Sequence, residues 1–156
     1  MKHLFEYNWQ VRDEWFERCR TLSHEVLLQE RQGGVGSILE TLFHIVDVEY
    51  SWIRAMKGLP DLAPHFEDYK SLEQVKALSE NYRQDIIAMI DAWDNEWTYK
   101  PVQASWMEGT FYCGEVIRHL IAHEIHHVGQ LSVWARELGL EPVSASFIER
   151  DLMQKD

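Results

Sequence analysis

Glu115-Val116-Ile117-Arg118-His119-Leu120-Ile121-Ala122-His123-Glu124-Ile125-His126-His127-Val128-Gly129-Gln130-Leu131 holds four of the chain's eight histidines, all between positions 119 and 127. Val116, Leu120, His123, His127, Leu131, Trp134 and Leu138 step by three or four, the period of one helix face. His123 and His127 therefore occupy an apolar stripe one turn apart, where a helix brings two imidazoles to the same side. His119 and His126 share a flank with Glu115, Ala122, Gly129 and Val133, whose small residues suit close helix approach, and are the poorer ligand candidates. A buried neutral imidazole needs partners for its nitrogens; a metal ion satisfies one nitrogen on each ring while polar groups behind hold the other.

This helix is expected to start near Gly114 and to stop at Leu138, because Gly139 supplies a left-handed cap and Pro142 follows. Upstream, Leu4, Val11, Trp15, Cys19 and Leu22 give a first helix from His3 to about His24. Gly33, Gly34 and Gly36 break the pattern. Ser37 with Glu40 has the spacing of a capping box and opens a second helix, to about Lys57. Gly58-Leu59-Pro60 ends it, and the segment through Pro64 and Tyr69 reads as a loop. Ser71 with Gln74 opens a third helix, to about Asp94, carrying Leu72, Val75, Leu78, Tyr82, Ile86, Met89, Ile90 and Trp93. The stretch Trp97 to Gly114 reads as an ordered connection with room for a short extended turn. Ser144 or Ser146 would cap a short terminal helix carrying Phe147, Ile148 and Leu152. Four long helices without a convincing strand pattern predict an all-α antiparallel four-helix bundle with long connections, forming one domain over residues 1–156.

A bundle of this kind builds its site from side chains that face inward. Two imidazoles are too few for a tight site, and of the histidines outside the fourth helix only His44 lies mid-helix inside an amphipathic element. Thr41, His44, Val48 and Ala55 share its face, so His44 is the best third ligand. Three neutral histidines leave a divalent ion its full charge and open coordination positions, which suits a catalytic site better than a closed structural one. Zinc, nickel, copper and iron all suit such a donor set. Glu124 and Asp47 stand beside the ligands as candidates to hold a ligand ring or a helix contact. Tyr50, Trp52, Trp106 and Tyr112 are candidate pocket walls, although aromatics at helical spacing belong to the core more often than to a site.

The net charge of −11 opposes binding to a phosphate backbone, so nucleic acid is excluded as a partner. No apolar run approaches the roughly 20 residues that cross a bilayer, and the N-terminus lacks the apolar segment of a secretory signal. Cys19 and Cys113 are the only cysteines and are widely spaced, which suits a reduced cytoplasm.

The chain resembles the DinB-like metal-dependent four-helix bundle proteins, relatives of the bacillithiol and mycothiol S-transferases, over nearly its whole length. The marks are Leu42-Phe43-His44-Ile45-Val46-Asp47-Val48-Glu49-Tyr50-Ser51-Trp52, then Gly109-Thr110-Phe111, then His123 to Leu131. The resemblance implies a metal (nickel, zinc or manganese) on His44, His123 and His127, a small-molecule thiol or electrophile as partner, and a homodimer. A metal-dependent thiol S-transferase or hydrolase is the expected function, and a non-catalytic metal-binding stress-response protein is the alternative. His123-Glu124-Ile125-His126-His127 also matches the zinc-protease pattern, in which the Glu is the general base. No histidine follows His127, so only a Glu such as Glu149 remains as a downstream ligand, and no strand signal provides a substrate-binding sheet edge.

Overall fold

A computed structural model describes residues 1–153. Its long helices are α1 (Lys2–Cys19), α3 (Ile38–Met56), α4 (Leu72–Asp91) and α5 (Cys113–Glu137), and a five-residue helix, α2 (His24–Leu28), lies between the first two. α1 packs on α4 and α5, and α3 packs on the same two, which leaves α1 and α3 at opposite corners of a four-helix bundle. None of these helices is long and apolar enough to cross a membrane.

Local chemistry places the helix ends. The Ser37 hydroxyl accepts from the Glu40 amide at 3.1 Å, and Ser71 and Gln74 cap each other's backbone in a full capping box. Gly139 at φ 71° follows α5, as its sequence position predicts. The first helix stops at Cys19 rather than running to His24, because Ser23 caps a new helix by accepting from the Val26 amide.

Two further expectations are corrected. The connection before α5 is a true hairpin, β1 (Pro101–Ala104) and β2 (Met107–Tyr112), with Val102 opposite Phe111 and an irregularity between Val102 and Ala104. Its second strand is almost wholly exposed, so it shows no alternation for a sequence pattern to reveal. The terminal helix expected at Ser144 or Ser146 is not formed among the described residues; Phe147 and Leu152 pack on the bundle from turns and bends.

The apolar core falls into two clusters. One gathers Val11, Trp15, Phe16, Leu42, Val46, Val75, Leu78, Leu131 and Trp134; the other gathers Phe5, Trp9, Ile53, Ile86, Ile90, Val116, Ile117 and Leu120. On each long helix a buried polar residue falls at the passage from one cluster to the other: Arg12 and Asn8 on α1, Glu49 on α3, Ser79 on α4 and Glu124 on α5. A polar layer thus crosses the middle of the bundle. His44, His123 and His127 lie at its edge.

Candidate metal centre

His44 enters from α3, and His123 and His127 from consecutive turns of α5. The Nε2 atom of His123 lies 3.1 Å from that of His44 and 3.2 Å from that of His127. One nitrogen from each of the three rings falls within 4.8 Å of the other two. His127 is buried, while His44 and His123 are partly open to one side.

The hydrogen bonds behind the rings show whether these nitrogens fit an ion. His127 Nδ1 donates to the Gln130 side-chain oxygen at 2.7 Å, which leaves the neutral ring a lone pair on Nε2, aimed at the cluster. The amide of Gln130 in turn donates to His126 Nε2 at 3.1 Å. Three convergent imidazole nitrogens, one of them locked in the ligating tautomer, make a donor set suited to a divalent transition ion. His126 thereby stands behind the three converging rings and not among them. Gln130 escaped the sequence reading, although its place one turn beyond His126 and His127 was the available signal.

The environment keeps the rings neutral. Burial pushes His44 down to about 4, with help from the neighbouring His127, and pushes His123 down to about 3, with help from His127 and His44. Burial also lowers His127, against the Gln130 hydrogen bond. Groups whose folded value lies below their unfolded value of about 6.5 take up protons first in the unfolded chain. Stability is therefore present above that value and is lost as pH falls from about 6.5 toward 4. In chelator-treated protein, the urea midpoint is expected to drop between pH 7 and pH 5. The drop should be clearly smaller in His44→Gln/His123→Gln, and equal drops would refute the assignment.

A cavity of about 320 Å³ opens beside His44, walled by Asp47, Ser51, Trp52, Asp61, His65 and Trp106. The Ser51 hydroxyl lies 2.7 Å from Asp61 and 3.3 Å from Asp47. Burial first, and Asp61 second, push the Asp47 carboxyl up to about 6. Trp106, at the hairpin turn, stands edge-on to Trp52 with ring centroids 5.2 Å apart. The other two aromatic candidates lie elsewhere: Tyr50 stacks on Tyr82 and donates to Asp85, and Tyr112 is exposed beside Tyr99. Asp61 and His65 were missed because they lie in the loop after α3, where no period points to a side chain's direction.

Glu124 is only 2% exposed, and both of its oxygens accept from Arg12, at 2.8 and 2.5 Å. It faces the bundle interior, where Arg12 occupies both of its oxygens. This geometry also disposes of the protease reading, which needs the Glu free to take a proton from water. His119 remains outside the triad, its ring 5.5 Å from that of His123 and 6.3 Å from that of Trp52.

Comparison with known proteins agrees with this architecture. The chain is 55% identical over 153 residues to the uncharacterized protein YizA of Bacillus subtilis (strain 168), covering 97% of this chain and 96% of that one. Protein DinB of the same organism is 26% identical over 149 residues, covering 87% of this chain and 84% of its own length. A solved DinB-like protein from Bacillus cereus ATCC 10987 superposes with a TM-score of 0.58 at 21% identity, over 88% of this chain and 93% of that one. Another, YjoA from B. subtilis, gives a TM-score of 0.63 at 15% identity, over 92% and 96%. At such identities these structures speak for the fold alone. The model of the DinB family matches residues 1–154, and the chain belongs to that family.

Proposed function

We propose that this protein is a metal-dependent enzyme, a thiol S-transferase or a hydrolase, that holds zinc or nickel on His44, His123 and His127. The observation that supports this reading is the convergence of three Nε2 atoms at the edge of a cavity to which His44 itself contributes a wall. A divalent ion bound there supplies Lewis acidity, lowering the pKa of a thiol or a water so that the nucleophile is available near neutral pH.

The chain's own groups complete the site. Asp47, with its carboxyl near 6, is ionised at pH 7 yet basic enough to accept the proton that the nucleophile gives up. The one Ser51 hydroxyl proton goes to Asp61, the nearer carboxylate at 2.7 Å, and leaves Asp47, at 3.3 Å, free to accept. Trp52 and Trp106 form an apolar wall that limits water on the same side.

The test uses cobalt-loaded protein titrated with 2-mercaptoethanol, followed by turnover of 1-chloro-2,4-dinitrobenzene. A thiolate-to-metal absorption band and thiol-dependent product are expected, with Asp47→Asn lowering the rate about 10²-fold or more while the band persists. A melting temperature that falls on chelation, together with a spectrum no thiol changes and no hydrolysis, would leave the ion as a tie between α3 and α5. In that case the non-catalytic reading replaces the enzyme.

A further inference from the structure

Arg12 lies on α1, which supplies no histidine to the triad, yet its guanidinium meets both helices that do. Its Nε and Nη2 donate to the two oxygens of Glu124 on α5, at 2.8 and 2.5 Å. Its Nη1 donates to Glu49 on α3 at 2.8 Å and to Ser79 on α4 at 3.2 Å. The second oxygen of Glu49 accepts from Trp9 Nε1 on α1 at 3.1 Å. Arg12, Glu49 and Glu124 are 1%, 5% and 2% exposed, so water cannot replace a missing partner.

We propose that Arg12 is a positioning residue for the metal centre: it fixes the axial offset of α3 against α5 and so holds His44 at His123 and His127. The inference rests on the metal reading above. Glu124 is the residue next to His123, and Glu49 follows His44 by five positions, about 7.5 Å along the helix axis. A slide of α3 by one turn, about 5.4 Å, would carry Glu49 out of reach of Nη1 and carry His44 away from the α5 histidines by the same amount. The apolar clusters above and below do not set this offset, because hydrophobic surfaces tolerate repacking while hydrogen bonds of a planar, forked donor do not. A buried polar group that fixes register is the best-attested use of such groups.

The test compares Co²⁺ affinity and the ligand-field spectrum among folded variants of the full chain, with circular dichroism and melting temperature measured in chelator. In Arg12→Met/Glu49→Leu/Glu124→Met the charges go and the volume stays, so the fold is retained. Co²⁺ binding should weaken at least about tenfold, with a changed ligand-field band. Arg12→Lys keeps the charge but cannot grip both carboxylates, and should weaken binding in the same direction; it decides the matter should the triple variant not fold. Glu49→Gln removes one charge while keeping an acceptor for Nη1, although its amide nitrogen then meets Trp9 Nε1, and should weaken binding by less than the triple variant does. Weakening in Glu49→Gln equal to that of the triple variant would show that charge, and not position, is responsible. Wild-type affinity and spectrum in both the triple variant and Arg12→Lys would overturn the inference alone. Failure of the wild-type protein to bind Co²⁺ would overturn the metal reading and this inference with it.

Discussion

Elemental analysis of tag-free protein is expected to find metal in the wild type and to find it lost from His44→Ala, His123→Ala and His127→Ala. Structural zinc binding of about 10–16 kcal/mol over four ligands corresponds to roughly 3 kcal/mol for each, or an affinity loss on the order of a hundredfold. His127→Ala should lose most, since it removes the ring whose tautomer Gln130 fixes. His119→Ala serves as the control and should keep its metal, because its ring flanks the triad without joining it. Full retention in all three alanine variants would end the proposal. Equal loss in His119→Ala would reassign the ligands.

Removal of the buried cation should produce the largest loss of stability. Arg12→Ala strands two carboxylates in the core, and breaking a buried ion pair from one side costs about 3–5 kcal/mol. For a chain of this size that corresponds to a fall in melting temperature of about 10 °C. Burial already raises the Glu124 carboxyl, and the nearby guanidinium is the main influence holding it down. Without Arg12 it rises further. A carboxyl raised above its unfolded value contributes stability at low pH that is lost as pH rises through its folded value. The deficit of Arg12→Ala relative to wild type should therefore grow from pH 5 to pH 8 in urea denaturation. A deficit under about 1 kcal/mol, or one constant with pH, would contradict this account.

The residues that sequence made legible are those whose direction a helix dictates. His123 and His127 fall on the apolar stripe of α5, and His44 on the inward face of α3, so periodicity alone aims them into the bundle. Ser37, Ser71 and the Gly139 stop were equally plain, because each acts within a few residues, whereas the Ser23 cap was hidden inside an apparently continuous helical period. What escaped depends on partners distant in the chain. Arg12 reads as a solvent-facing charge until Glu49 and Glu124, 37 and 112 positions away, are brought to it. The same holds for Leu4, which fits the first helix's period yet is 39% exposed, while Phe5 beside it is buried. Asp61 and His65 gain their place from the path of a loop. The hairpin escaped because its first strand has only four residues, its second does not alternate in burial, and its turn carries no glycine.

That hairpin gives the fold a place to diverge. It reaches the cavity through Trp106 at its tip, while its second strand, Phe111 apart, faces solvent. Exposed tips accept insertions and exchanges that helices bearing a site do not. A lineage can thus alter what enters beside His44 by rewriting residues 104–107, with the histidines, Gln130 and the buried charges left in place. The ribbon at the rim and the histidines on the central helices can therefore change independently of each other.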